Sequence, residues 1–170
     1  MTTIAANRKS MSGDSRVSGG GPIYYADKIF RIGDSIVGVA GDAKHTTKFL
    51  AWFRTECPPT DEKLELGETD SFCALVLNSR GLFYYFDLCE PDHLHNKFYA
   101  VGSGSLSAMA DMRAGKTTEQ AVRGAMEFDE QTGGRVKTLT LGPTKRKLSR
   151  PSPVKSQTDS APADQLPPKG

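Results

Sequence analysis

The sequence predicts an α+β fold in four layers, an αββα sandwich of two antiparallel sheets stacked between helical layers. Three observations point there. Short runs of apolar or alternating residues come in neighbouring pairs joined by tight turns, as antiparallel hairpins do. Helical periodicity is confined to one stretch in the first half and two adjacent stretches in the second. Helices set apart from hairpins in this way cover the outer faces of sheets, rather than alternating with strands as in a parallel fold.

The chain opens with Thr2 to Ala6 as a strand and Ser10 to Val17 as a second, joined at Asn7-Arg8-Lys9. Ser18-Gly19-Gly20-Gly21-Pro22 is a connection. Lys28 to Ile32 alternates as a half-buried strand, turns at Gly33-Asp34 and returns as the apolar strand Ser35 to Ala40. Gly41 ends that strand, and Asp42 is placed to cap a helix spanning His45 to Cys57, whose Phe49, Leu50, Trp52 and Phe53 face the core. Pro58-Pro59 stops the helix, and Thr60 to Thr69 is a polar, acidic connection. Phe72 to Leu77 and Leu82 to Phe86 flank the turn Asn78-Ser79-Arg80-Gly81. Asp87 to Asn96 reads as a loop and Phe98 to Val101 as a short strand. Gly102-Ser103-Gly104-Ser105 leads into a helix to about Arg113; a second starts at Thr117, its cap, with Ala121, Val122, Ala125 and Met126 on one face. Val136 to Leu141 is the last strand.

Beyond Leu141 the composition changes. The segment from Pro143 holds six of the ten prolines and almost no large apolar residues, too little to bury a core. The expected organisation is therefore a folded domain over 1–142 and a Pro-rich disordered tail over 143–170. The basic residues Lys145, Arg146, Lys147, Arg150 and Lys155 are read as part of that solvated tail.

Composition excludes several function classes. A net charge of +2 is too small to argue for a nucleic-acid partner. Cys57, Cys73 and Cys89 are widely spaced without a CxxC pair, against structural zinc and a disulfide framework. Cys89, His93 and His95 lie close together but without a fourth ligand at diagnostic spacing, so no metal or cofactor is expected. Neither a signal peptide nor a membrane span is legible, which makes the cytoplasm the expected address.

The opening Met1-Thr2-Thr3-Ile4 carries chemistry. A small second residue favours removal of the initiator methionine. Thr2 would then hold a hydroxyl and a free α-amine on one residue, a weak nucleophile beside an activating base. The amine's ordinary pKa of about 7.7–8.0 leaves part of it neutral near physiological pH.

Six pieces in order resemble one family. They are Thr2-Thr3-Ile4, Gly13-Asp14-Ser15-Arg16, Asp27-Lys28-Ile29, Gly38-Val39-Ala40-Gly41, Val101-Gly102-Ser103-Gly104-Ser105, and Asp129 followed by Thr132-Gly133-Gly134. Together they resemble the proteasome β-subunit group of N-terminal nucleophile (Ntn) hydrolases, threonine peptidase type, and especially the short bacterial HslV-type subunit. The resemblance runs from Thr2 to about Leu141.

The resemblance implies roles. Thr2 Oγ would attack a carbonyl, with its own amine moving the proton. Lys28 would lower the pKa of both groups by its charge, and Asp14 would supply the counter-charge. The backbone N–H of Gly41 would hold the oxyanion. Ser103, Asp129 and Thr132 would orient the amine, and Ser18, Val39 and Ala40 would line the primary specificity pocket. It also implies a homo-oligomeric ring of six or seven subunits, single or stacked, acting on peptides or unfolded protein. No cofactor is implied. An AAA+ ATPase partner is left open: the docking C-terminus of such relatives is replaced here by the tail, so a standard HslU-type partner is not assumed.

Two departures bear on these roles. Only eleven residues separate Thr2 from Asp14, so the first hairpin must be trimmed, either at its distal turn or at the Asp14 end. Asp42 stands where bacterial relatives more often carry a second glycine, and it either deters acidic substrates or only caps the helix. The expectation is a threonine-type endopeptidase. The alternatives are a catalytically silent ring-forming scaffold and an Ntn amidase acting on a small amide.

Overall fold

The computed structural model describes residues 2–19, 21–55, 72–86 and 91–142. In chain order its strands and helices are β1 (Thr3–Asn7), β2 (Ser10–Gly13), β3 (Arg16–Val17), β4 (Tyr24–Tyr25), β5 (Ile29–Ile32), β6 (Ser35–Gly41), α1 (Ala43–Arg54), β7 (Phe72–Asn78), β8 (Gly81–Phe86), β9 (Asp92–Leu94), β10 (Phe98–Gly102), α2 (Ser105–Arg113), α3 (Thr118–Met126) and β11 (Lys137–Thr140). One antiparallel sheet runs β10-β1-β2-β11, a second runs β5-β6-β7-β8-β9, and β3 with β4 forms a separate ribbon.

The period-two alternation of the strands builds the layers. In β1, Ile4 and Ala6 point to the second sheet and meet Ile29, Ile36, Leu75 and Leu77, while Ala5 points the other way against α2 and α3. In β6 and β7, Ile36, Ala40, Leu75 and Leu77 face between the sheets; Val37, Val39, Ala74 and Val76 face α1 with Phe49 and Leu50. The order is thus α1, sheet, sheet, α2 with α3, the αββα sandwich expected from the sequence.

Local chemistry sets the element ends. Asn7 Oδ1 accepts from the amides of Lys9 and Ser10, both at 2.8 Å, and closes the first hairpin. Asp42 caps α1 by accepting from Lys44 N at 2.8 Å. Thr117 and Gln120 form a reciprocal capping box on α3.

The structure departs from the sequence reading at three places. The second strand does not run to Val17; it ends at Gly13, because Asp14 turns its carboxylate inward to backbone amides and Arg16–Val17 pairs with Tyr24–Tyr25. Within the expected loop 87–96, Asp92–Leu94 forms an edge strand on β8, where His93 stacks on Phe83. Helix α1 starts at Ala43 rather than at His45, which lies against Asp42 with its side chain 12 % exposed. Cys57, Pro58-Pro59, Thr60 to Thr69, Cys89 and the Pro-rich segment 143–170 lie outside the described residues.

Gly38 is where the two sheets come closest to needing no side chain. A Cβ there would sit 2.7 Å from Met11 Sδ and 2.9 Å from Ile4 Cγ2. Gly38→Ala should therefore overpack the inter-sheet core and cost about 1–3 kcal/mol. Urea denaturation checks this, and an unchanged midpoint would show that the layers can spread at no cost.

Candidate active site

The head of β1 is held from two sides. On the first side, Asp14 lies opposite Thr3 because the hairpin register pairs Ile4 with Gly13. The short hairpin thus leaves Asp14 within reach of both the head of β1 and Lys28. Asp14 is 1 % exposed and its carboxylate accepts four hydrogen bonds. Oδ1 takes the Thr3 amide and Lys28 Nζ, each at 2.9 Å; Oδ2 takes the amides of Gly133 at 3.0 Å and Arg16 at 3.1 Å. Lys28 Nζ also donates to the Arg16 carbonyl.

Lys28 itself is buried. Burial pushes its pKa below the usual lysine value, opposed by the charge and hydrogen bond of Asp14 and, more weakly, by the charge of Asp129. A buried ammonium next to one carboxylate and one carbonyl is a fixed cation whose partner it cannot lose cheaply.

On the second side, Thr3 and Ser103 lead to Asp129. Ser103 Oγ donates to Asp129 Oδ2 at 2.5 Å, and Thr132 Oγ1 donates to the same oxygen. With the single Thr132 hydroxyl proton so used, the 2.6 Å contact between Thr3 Oγ1 and Thr132 Oγ1 must be donated by Thr3. Thr3 Oγ1 in turn accepts from Gly104 N at 3.1 Å. A directed chain therefore runs from the Gly104 amide through two hydroxyls to the carboxylate. Burial disfavours the charged form of Asp129, but the hydroxyls of Ser103 and Thr132 and the Gln131 amide outweigh it and hold the pKa below the ordinary aspartate value.

Thr2, 4 % exposed, sits between these two systems. Ser103 Oγ reaches its carbonyl oxygen at 3.4 Å. Beneath that carbonyl lies Gly102, with φ 95°, where a Cβ would come within 1.9 Å of the Thr2 oxygen. No other residue type fits that position.

Thr2 lies at the floor of a cleft of about 610 Å³. Ser18, Ala40 and Gly41 line it, joined by Val17, Tyr24, Phe72 and Phe86. Gly41 ends β6 with φ 115°, and Asp42 follows at the rim. Of the ten residues singled out from the sequence, nine gather here or in the two hydrogen-bond systems. Val39 does not: alternation turns it to the α1 side, among Phe49, Phe72 and Tyr85. The sequence reading missed Thr3, whose polar side chain in an otherwise apolar buried strand was the available signal. It also missed the aromatic walls Tyr24 and Phe86, which are more than half exposed. A second cavity, about 340 Å³, opens behind the Asp14–Lys28 pair between Tyr25, Asp27, Arg135 and Lys137. Among the described residues no group of three or more His, Cys, Asp or Glu side chains is placed to hold a metal.

Asp14→Asn should cost about 3–5 kcal/mol near neutral pH, because Lys28 would be left charged without its partner. The pH dependence follows from the direction of the Lys28 shift. Between its lowered folded pKa and the ordinary 10.5, the unfolded chain binds more protons than the folded one, so this group's contribution to stability rises with pH. Removing Asp14 takes away what holds the folded value up and opens that window at lower pH. The deficit of the variant relative to wild type should thus shrink as pH rises from neutral towards the ordinary lysine value of 10.5, measured by urea denaturation. A constant deficit would rule out this account of the pair.

No family model and no curated protein matches the sequence. Solved structures do match. "Thiobacillus denitrificans BPH" superposes with a TM-score of 0.64 at 25 % identity, covering 84 % of this chain and 98 % of that one. The same protein in complex with epoxomicin gives 0.63 at 25 % identity, over 84 % and 99 %. The eukaryotic HslV from Trypanosoma brucei gives 0.63 at 18 % identity, over 81 % and 98 %. The fold is that of the Ntn-hydrolase superfamily, close to HslV and the proteasome β subunit.

Proposed function

We propose that the chain is a threonine-type endopeptidase in which Thr2 becomes the nucleophile once Met1 is removed. The observation that carries this reading is the shared Asp14 Oδ1, which ties the Thr3 amide and the Lys28 ammonium to one atom at the head of β1, next to the Thr2 that lines an open cleft. While Met1 is attached, the Thr2 nitrogen is an amide and has no basicity to offer. Its removal converts that nitrogen to an amine next to the hydroxyl it must activate.

In this mechanism Thr2 Oγ attacks the scissile carbonyl as its proton passes to the α-amine, directly or through water. The oxyanion is met by the Gly41 N–H, which needs close backbone approach and no side chain. The ammonium then gives its proton to the leaving amine, and an ester to Thr2 remains. Water, deprotonated by the same amine, cleaves that ester and restores the site. Lys28 acts through its field, favouring the neutral amine and the alkoxide-like transition state. Ser103, Asp129 and Thr132 hold the amine in line.

A cytoplasmic ring of identical subunits completes the proposal. Leu106 and Phe128 are 85 % and 83 % exposed, and Ile23, Tyr24 and Tyr25 are more than half exposed. Apolar side chains in such numbers on a small chain suit burial between copies. Enclosure of the cleft in a chamber would limit it to unfolded or peptide substrates.

Intact mass before and after treatment with epoxomicin tests the nucleophile. Wild type should show loss of Met1 and gain one inhibitor adduct, and Thr2→Ala should gain none. Retained methionine, or no adduct on folded, assembled protein, would instead favour a silent scaffold of the same fold.

The acid limb of kcat/KM should report the α-amine. Its midpoint should fall below about 7.7, because a cation at Lys28 lowers the amine's pKa. A midpoint near 4 to 5 would assign the limb to a carboxylate and remove the amine from the mechanism.

A further inference from the structure

Asp42 is bound up in two tasks that its two oxygens divide. Oδ1 accepts from Lys44 N at 2.8 Å and His45 N at 3.4 Å, with His45 Nδ1 at 3.3 Å, and so caps α1. Oδ2 has no hydrogen bond among the described residues. The side chain is 50 % exposed and stands at the rim of the Thr2 cleft.

Asp42 is also the one charged side chain among the described residues that line this cleft; the remaining walls are Val17, Tyr24, Phe72, Phe86 and small residues. Beneath the opposite side, Asp129 lies one hydrogen bond behind Ser103, and its pKa is held low. Lys28 does not line this cleft; it is buried in its ion pair with Asp14. Around Asp42, the amides of the first turn of α1 draw on Oδ1 and His45 Nδ1 stands 3.3 Å from the same oxygen, so Oδ2 of this cleft-lining side chain is the oxygen left without a partner among the described residues.

Position gives this charge its meaning. Asp42 directly follows Gly41, whose N–H is the proposed oxyanion donor. An extended peptide advances about 3.3 Å per residue, so a carbonyl held at Gly41 brings the residues on either side of it within reach of Asp42. A carboxylate so placed favours a cation and repels an anion.

We propose that Asp42 is a specificity-determining residue that selects peptides with a lysine or arginine within two positions of the scissile bond and disfavours acidic ones. This deepens the peptidase reading and rests on it. Tyr24 and Phe86 would take the apolar parts of the same segment, including the methylene stem of the basic residue.

The test separates selection from chemistry by reading binding first. Thr2→Ala protein, full length, is titrated with three fluorescent peptides that differ only in carrying arginine, glutamine or glutamate next to the cleavage position. The arginine peptide should bind about fivefold tighter than the glutamine peptide, the glutamate peptide should bind more weakly still, and the spread should narrow at high salt. The double variant Thr2→Ala/Asp42→Asn keeps an N-cap side chain of equal quality, so α1 stays closed while the charge is lost. In it the arginine-to-glutamate ratio should collapse towards one.

Equal binding of the three peptides, or a ratio unchanged by Asp42→Asn, overturns the proposal. With Thr2 present, the same ratio is read in kcat/KM, where any loss common to all peptides cancels. Charge-selective binding without cleavage would uphold the role of Asp42 in the cleft and sink the peptidase reading alone.

Discussion

One carboxylate organises this molecule. Asp14 is buried, and a buried carboxylate is tolerable only if its lone pairs are filled and its charge is matched. Its four partners come from four separate parts of the chain: the amide of Thr3 at the head of β1, the amide of Arg16 at the start of the ribbon, the ammonium of Lys28 before β5, and the amide of Gly133 before β11. Three of those amides and one cation therefore have to arrive together. That requirement breaks the second strand after Gly13, although its side chains alternate well enough to continue. It also draws residues 133–134 onto the Ser15–Arg16 segment, whose two amides both donate to the Gly133 carbonyl.

The layers were legible because they follow from alternation alone. Ile4 and Ala6 against Ala5, or Leu75 and Leu77 against Ala74 and Val76, sort themselves onto two faces with no information beyond their order. The caps at Asp42 and Thr117 were legible for a similar reason, since a side-chain acceptor just before a helix has one local use. The misreadings arose where a distant partner decides. Asp92–Leu94 carries no strong strand pattern and becomes a strand because the edge of β8 is open beside it. The break at Gly13 depends on Lys28 and Gly133, neither of which is local to it.

The same distinction runs through the site. Asp14, Lys28, Ser103, Asp129 and Thr132 came from the order of short pieces along the chain, and the geometry joins them through hydrogen bonds spanning up to 129 residues. Spacing in sequence carries no trace of that joining. Thr3 shows what was lost. Beside Thr2 it looked like a second copy of the same residue, yet its hydroxyl relays between Gly104 and Thr132 while its amide is fixed by Asp14. Val39 shows the converse. Grouped with Ala40 by adjacency, it belongs to the other face, since neighbours in a strand point apart.

Thr3, rather than Thr2, is the anchored residue, and this arrangement suits a nucleophile at position 2. A hydroxyl locked into a strong hydrogen bond to a carboxylate would be positioned, but its proton and lone pairs would be committed. Here the strong contacts fall on Thr3, from Asp14 at its amide and from the Gly104–Thr132–Asp129 chain at its hydroxyl. Thr2 is then placed by its own carbonyl, with Gly102 packed beneath it. Only glycine lets that carbonyl lie so close, so the backbone of Thr2, not its side chain, carries the positional constraint. The cost of precision is borne at Thr3, one residue away from the proposed nucleophile. On the proposed reading, removal of Met1 would leave the hydroxyl and nitrogen of Thr2 to each other and to whatever enters the cleft.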